Sequence, residues 1–191
     1  VSGSTTATTL GAFLSEPIPT FTADFSSGVN GFVSFTSGTL AGNEDGIGGE
    51  DNNLSSTQSG TGQVVYGVNG RTTIGKKYKV SFKYYVPSES GSYTQISIRD
   101  GASTIIGSDD SPATNNWISV EATAVFTTAQ VRFQFVGTSV AGKKIYIRDV
   151  VVSEIGEATV HTWYDQSGNG KDATQDASGE QPKIASTGAL L

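Results

Sequence analysis

From Phe21 onward the chain alternates apolar and polar residues in short runs, with turn residues roughly every 8–12 positions, the spacing of a sandwich or barrel. Lys77–Val86 has the clearest period. Tyr78, Val80, Phe82, Tyr84 and Val86 share one face, and Lys77, Lys79, Ser81, Lys83 and Tyr85 the other. Burying such side chains at roughly 1.5–3 kcal/mol each makes the first face core. Pro87 ends the run. Tyr93–Arg99 predicts Thr94, Ile96 and Ile98 inward and Tyr93, Gln95, Ser97 and Arg99 outward, before an Asp100-Gly101 turn. Trp117–Phe126 places Ile118, Val120, Ala122, Ala124 and Phe126 together, while Val131, Phe133 and Phe135 alternate with Arg132, Gln134 and Val136. Thr20–Phe25, Phe32–Thr36 and Gln63–Val68 predict further strands, the last closed by Asn69-Gly70. In Lys144–Glu154, Ile145 and Ile147 set one phase and Val150 and Val152 the opposite one, which predicts a bulge at Arg148-Asp149. No segment has helical periodicity. The fold class is all-β: about nine antiparallel strands in a two-sheet sandwich of the jelly-roll kind.

Three regions follow from this pattern. Residues 1–19 form an arm or linker, with an apolar patch at Leu10–Leu14 and breaks at Pro17 and Pro19. Residues 20–155 form the sandwich. Residues 156–191 begin a second, truncated sandwich: a strand at Val160–Tyr164, a tight turn at Asp165–Gly170, then a polar stretch towards Lys183-Ile184. Thr5–Leu14 could supply an earlier strand of that second sandwich, with the jelly roll inserted between its parts.

Composition narrows the function. The 191 residues carry 12 Lys and Arg against 18 Asp and Glu, a net charge of −6, without a basic run longer than two. That gives no electrostatic footprint for nucleic acid. No apolar run approaches the ~18 residues that span a bilayer, so membrane insertion is not expected. With 0 Cys there is no disulfide framework, thiol catalysis or thiolate metal site. Methionine is absent and the chain begins at Val1, as a fragment or processed product would.

Candidate catalytic motifs fail on inspection. The Asn43–Asp51 loop holds Glu44, Asp45, Glu50 and Asp51, but Ile47 stands where an EF-hand needs an oxygen ligand. Gly168-Asn169-Gly170-Lys171-Asp172-Ala173 matches a dinucleotide fingerprint in letters only, because DATQDASGEQP will not open a helix. His161 is the one histidine, which leaves no His cluster for a metal. No carboxylate pair stands out for glycoside hydrolysis. No catalytic residue is assigned and the chain is not expected to be an enzyme. Asn53-Leu54-Ser55 is a sequon, meaningful only in a eukaryotic secretory setting.

Two resemblances add to this. Gly75–Phe82 (GKKYKVSF), Asn116-Trp117-Ile118 with the strand ending at Phe126-Thr127, and Ile145–Val152 (IYIRDVVV) resemble the galactose-binding-like jelly rolls of carbohydrate-binding modules, which recur in bacteriophage tail and fibre proteins. WYDQSGNGKDATQ followed by QPKI resembles the concanavalin A-like, laminin-G-like sandwich of phage tail proteins and adhesins, and a related phrase occurs in fungal arabinofuranosidases. The first resemblance implies glycan binding by the outward set Tyr85, Tyr93, Gln95, Arg99, Trp117, Arg132 and Gln134. Aromatic faces suit sugar rings, and amides and guanidinium groups suit hydroxyls. It also implies a structural calcium ion near the last strand, at Asp149 with Asp24 beside it, both hard oxygen donors. The expected role is a non-catalytic, extracellular or virion-surface module that binds cell-surface or polymeric carbohydrate beside other virion proteins, as a homo-oligomer. Alternatives are the accessory region of a secreted, arabinofuranosidase-like glycoside hydrolase and a purely structural decoration domain.

Overall fold

The computed structural model describes residues 19–36 and 38–156 and, further on, 158–159, 162–163, 171, 173–177, 180, 182–186 and 189–190. The chain divides into two compact units, Pro19–Glu154 and a second made of Val1–Ile18 with Ile155–Leu191. The arm at residues 1–18 with its Leu10–Leu14 patch, His161 and the Asp165–Gly170 turn lie outside the described residues.

The first unit is a two-sheet antiparallel sandwich of eleven strands. They are β1 (Pro19–Ala23), β2 (Phe32–Ser34), β3 (Gly38–Glu44), β4 (Asn53–Gln58), β5 (Val64–Asn69), β6 (Lys77–Tyr85), β7 (Gly91–Asp100), β8 (Thr104–Asp109), β9 (Trp117–Val125), β10 (Gln130–Ser139) and β11 (Lys144–Glu154). One sheet runs β3-β4-β11-β6-β9 with β1 also on β11; the other runs β2-β5-β10-β7-β8. In the second unit, β12 (Ala158–Thr159), β15 (Lys183–Ser186) and β16 (Ala189–Leu190) pair in one small sheet. The other pair there is β13 (Thr162–Trp163) with β14 (Ala173–Thr174), which run antiparallel.

Strict alternation builds the sandwich core. On β6, Tyr78, Val80, Phe82 and Tyr84 are all buried and the residues between them are not. On β10, Val131, Phe133 and Phe135 are fully buried. The sheets meet through these two strands. Phe82 lies 4.5 Å from Phe133 between ring centroids, and Tyr84 meets Phe135 edge-on at 6.1 Å. Phe32 stacks on Phe133 at 5.9 Å and Tyr66 on Phe135 at 5.6 Å, so both β10 rings touch aromatics on either side.

The expected bulge on β11 is present, and it changes the strand's neighbour. Lys144–Ile147 pair with β4, Val150–Ser153 pair with β1, and β6 runs along both halves with its register slipping between Arg148 and Val151. Asp149 takes φ +50° there, a left-handed conformation that Asp tolerates better than most residues.

Two expectations change. Tyr93 is not outward: it is 9% exposed, belongs to the core and meets Phe135 edge-on at 5.9 Å. The cause is a register slip, in which Val136 pairs with Gln95 but Gly137 pairs with Tyr93, so Thr94 is skipped; Tyr93 moves to the inward phase and Thr94, expected inward, is exposed. Three strands, β3, β4 and β8, were also not expected. Their sequences GTLAGNE, NLSSTQ and TIIGSD are too small and polar to show a period.

Because Phe133 touches rings of both sheets, Phe133→Ala is expected to cost about 3–5 kcal/mol, read as a lower urea midpoint at unchanged m-value. A loss below about 1 kcal/mol, the scale of an exposed substitution, would contradict this core.

Candidate functional site

The alternation that buries Phe133 and Phe135 turns their neighbours outward. Arg132 stands directly opposite Arg99 across β10 and β7, Gln134 opposite Ser97, and Val136 opposite Gln95. Four of the seven residues expected from sequence, Gln95, Arg99, Arg132 and Gln134, therefore share the outer face of the five-stranded sheet. On the next strands Arg132 pairs with Gly67 and Arg99 with Ile105. Val33 and Ile105, at 41% and 44% exposure, form apolar margins of the face.

This face is polar yet closely packed. Ser97 is fully buried and Gln134 is 6% exposed. The Gln134 amide donates to Gln63 Oε1 at 2.6 Å, Gln95 donates to Asp110 at 2.8 Å, and Arg99 Nη2 donates to the Ser103 carbonyl at 2.8 Å. The Arg132 guanidinium lies 3.9 Å above the Phe35 ring, and its Nε donates to Gln130. Three buried atoms nevertheless have no partner among the described residues: Gln134 Oε1, Ser97 Oγ and Arg99 Nε. An unmet buried polar atom costs about 1–3 kcal/mol. Here an acceptor, a hydroxyl and a cationic donor sit on adjacent rungs of one ladder.

Tyr85 and Trp117 belong to the other outer face. With Tyr146 they form a row across three strands, Tyr146 opposite Tyr85 and Tyr85 opposite Trp117. The ring centroids are 6.3 and 5.4 Å apart. The Glu44–Asn53 loop is tied down onto this row. Trp117 Nε1 donates to the Ile47 carbonyl at 2.9 Å, Arg148 pairs with Glu50, and Asn53 holds the Glu44 and Glu50 carbonyls at 2.8 Å each. Gly48 has φ +58°, and a Cβ there would fall 2.8 Å from both Trp117 Nε1 and Tyr85 Cε2. The loop thus covers part of the rings a sugar would need.

Tyr93 lies apart from both faces, beside a small cleft of about 130 Å³ lined by Val86, Gly91, Ser92, Pro112, Ala113 and Thr114. That is below the ~300 Å³ at which small-molecule sites begin. Burial pushes the Tyr93 phenol up to about 12. The expected set is therefore split between the two faces and the core.

Most of the carboxylates placed in this sandwich are engaged in holding it together. Asp100 accepts four hydrogen bonds from Thr127 and Thr128; burial raises its carboxyl, and these bonds outweigh that and hold it below the usual range. Asp109 accepts from Tyr84 at 2.6 Å, and burial together with that bond pushes the Tyr84 phenol up. Lys76–Glu154, Lys79–Glu121, Lys83–Asp149 and Lys144–Glu44 are ion pairs at 3.5, 3.1, 2.9 and 2.6 Å.

β1 does lie beside β11, with Ala23 opposite Val150, one residue before Asp24 and one after Asp149. The donor set does not suit calcium, however. Asp149 is held by Lys83 at 2.9 Å and Arg148 at 3.2 Å, and Asp24 accepts the Ser26 N–H at 3.2 Å. Burial raises the Asp149 carboxyl, but the two cations outweigh it and leave it low. Among the described residues no three His, Asp or Glu side chains gather as metal ligands.

Set beside known proteins, the sandwich has clear structural likenesses at low identity. No family model matches the chain, and no curated protein matches it. A CBM22-2 xylan-binding domain from Paenibacillus barcinonensis Xyn10C superimposes with TM-score 0.53 at 14% identity, covering 71% of this chain and 99% of that one. The CBM22-1–GH10 modules of Clostridium thermocellum xylanase 10B give 0.55 at 13%, covering 76% of this chain and 30% of that one. An arabinose-bound MgGH51 α-L-arabinofuranosidase gives 0.52 at 13%; this chain is covered over 78% but spans only 28% of that one. The fold is that of these modules.

Gly48→Ala is expected to lift the loop from the rings and cost about 1–2 kcal/mol, the scale of left-handed strain in a residue with a Cβ. In a Trp163→Phe background the emission of Trp117 would shift with it. Unchanged emission and stability would show that the loop does not rest on this row.

Proposed function

We propose that the Pro19–Glu154 sandwich is a non-catalytic module that binds a polymeric carbohydrate on the outer face of its five-stranded sheet. The observation that carries this is the Gln134–Ser97 pair, opposite one another, buried, and each with an oxygen that has no partner among the described residues. A sugar hydroxyl both donates and accepts, so one ring can satisfy the Gln134 carbonyl and the Ser97 hydroxyl together once the Gln63–Gln134 amide pair swings aside to expose them. Gln95, Arg99 and Arg132 extend the polar strip along the strands, and Val33 and Ile105 offer apolar margins to ring carbons. Five strands at ~4.8 Å spacing make a face ~19 Å wide, which suits a run of linked sugars better than one. The fold likeness to xylan-binding modules supports the same reading. The role suits a protein that works outside the cell. It serves a virion appendage, as the sequence resemblance implies, and equally a module beside a glycoside hydrolase.

A second reading places the sugar on the Tyr146–Tyr85–Trp117 row, favoured by three rings aligned across adjacent strands. Affinity electrophoresis in soluble hemicelluloses and pectins separates the two. Gln134→Ala is expected to weaken retardation about tenfold, the cost of leaving one polar contact unmet, while Tyr85→Ala leaves it unchanged. The reverse result would move the site to the aromatic row, and no retardation in any polysaccharide would overturn the carbohydrate reading.

A further inference from the structure

Charge is distributed unevenly over the two faces. On the six-stranded sheet four cations meet acids, Lys79 with Glu121, Lys83 with Asp149, Lys144 with Glu44 and Arg148 with Glu50, while Lys77 at the start of β6 stands without one among the described residues. On the five-stranded sheet Arg99 and Arg132 stand directly opposite each other, and among the described residues neither has a carboxylate within 4 Å. Like charges on facing rungs of an antiparallel pair destabilise it. A chain with 18 acidic and 12 basic residues has acids to spare, yet among the described residues none pairs with either arginine; the carboxylate bonded to this strip, Asp110, is held by Gln95. Arg99 Nε is also buried and unpartnered, and the buried Ser97 and Gln134 of the next rung are each short of a partner. The site is thus two cations beside an acceptor and a hydroxyl.

We infer that the bound glycan is anionic, with the negative group of a sugar ring seated between Arg99 and Arg132 and neighbouring hydroxyls on Gln134 and Ser97. This rests on the carbohydrate reading above and names its ligand class. A guanidinium fork matches the paired oxygens of a carboxylate or a sulfate and bonds them more strongly than a neutral hydroxyl. An anion there compensates both cations, which otherwise rest on neutral partners, Arg99 on the Ser103 carbonyl and Arg132 on Gln130 and the Phe35 ring. Gly67, beside Arg132 on β5, places no side chain between that arginine and the ligand.

Isothermal titration of the full chain is the test, with polygalacturonate and glucuronoxylan as carboxylate probes, a sulfated galactan as the sulfate probe, and unsubstituted xylo-oligosaccharides as the neutral probe. Binding to an anionic probe at least about tenfold tighter than to the neutral one is expected, weakening as NaCl rises from about 20 to 300 mM. The carboxylate and sulfate arms show which anion is taken. Arg99→Gln and Arg132→Gln should each remove most of that preference while keeping the wild-type circular dichroism. Lys79→Gln, on the opposite sheet, should not. Equal, salt-insensitive binding of neutral and anionic probes would overturn the anionic inference and leave the carbohydrate reading standing. Binding to none of them would overturn both.

Discussion

The structure depends on one constraint, the two-residue pleat of β10 between Gln130 and Val136. Phe133 and Phe135 must point inward, because they carry the aromatic contact with Phe82 and Tyr84 that joins the sheets. Once they do, Arg132 and Gln134 have no choice but to face out, and the β7 register sets Arg99 and Ser97 opposite them. Core and candidate site are the two sides of one strand. A one-residue slip of β10 would turn Arg132 and Gln134 into the apolar core and Phe133 and Phe135 out of it, so the packing that stabilises the fold also fixes the geometry of the surface.

The two outer faces solve different problems. The six-stranded face is largely neutralised: Lys79, Lys83, Lys144 and Arg148 meet acids, and a glycine-bearing loop is bonded down over its aromatic row by Trp117, Arg148 and Asn53. Exposed ion pairs of this kind are worth little each, about 0–1 kcal/mol, but together they offset most of the positive charge on that surface. The five-stranded face is left incomplete, with facing arginines and unmet buried oxygens. A surface whose own groups cannot satisfy one another is the better place to look for a ligand.

In-and-out alternation was legible wherever a strand held large side chains. The β6 face, the β10 phase and the β11 bulge at Arg148-Asp149 could all be read from spacing. What alternation cannot say is which sheet a strand joins, since partners are set by contacts distant in sequence. Alternation alone therefore groups Tyr85 and Trp117 with Gln95, Arg99, Arg132 and Gln134, although the sandwich sets them back to back. Tyr93 faces inward because one skipped residue, Thr94, reverses the phase, and the local signal of that slip is Gly137, opposite Tyr93 and at φ +153°. β4 was missed because its buried positions include Asn53, Ser55, Ser56 and Gln58, whose burial is made tolerable by partners the sequence does not show. Ser97 was placed on the right face, but a small hydroxyl gives no hint of a site until its neighbours are known.

The most direct measurement is a ¹H–¹⁵N titration with an acidic oligosaccharide. Shifts concentrated on Gly67, Ser97, Arg99, Arg132 and Gln134, with the Tyr85, Trp117 and Glu121 amides still, are the predicted result. Shifts confined to the β6–β9 face, or none at saturating ligand, would contradict the account.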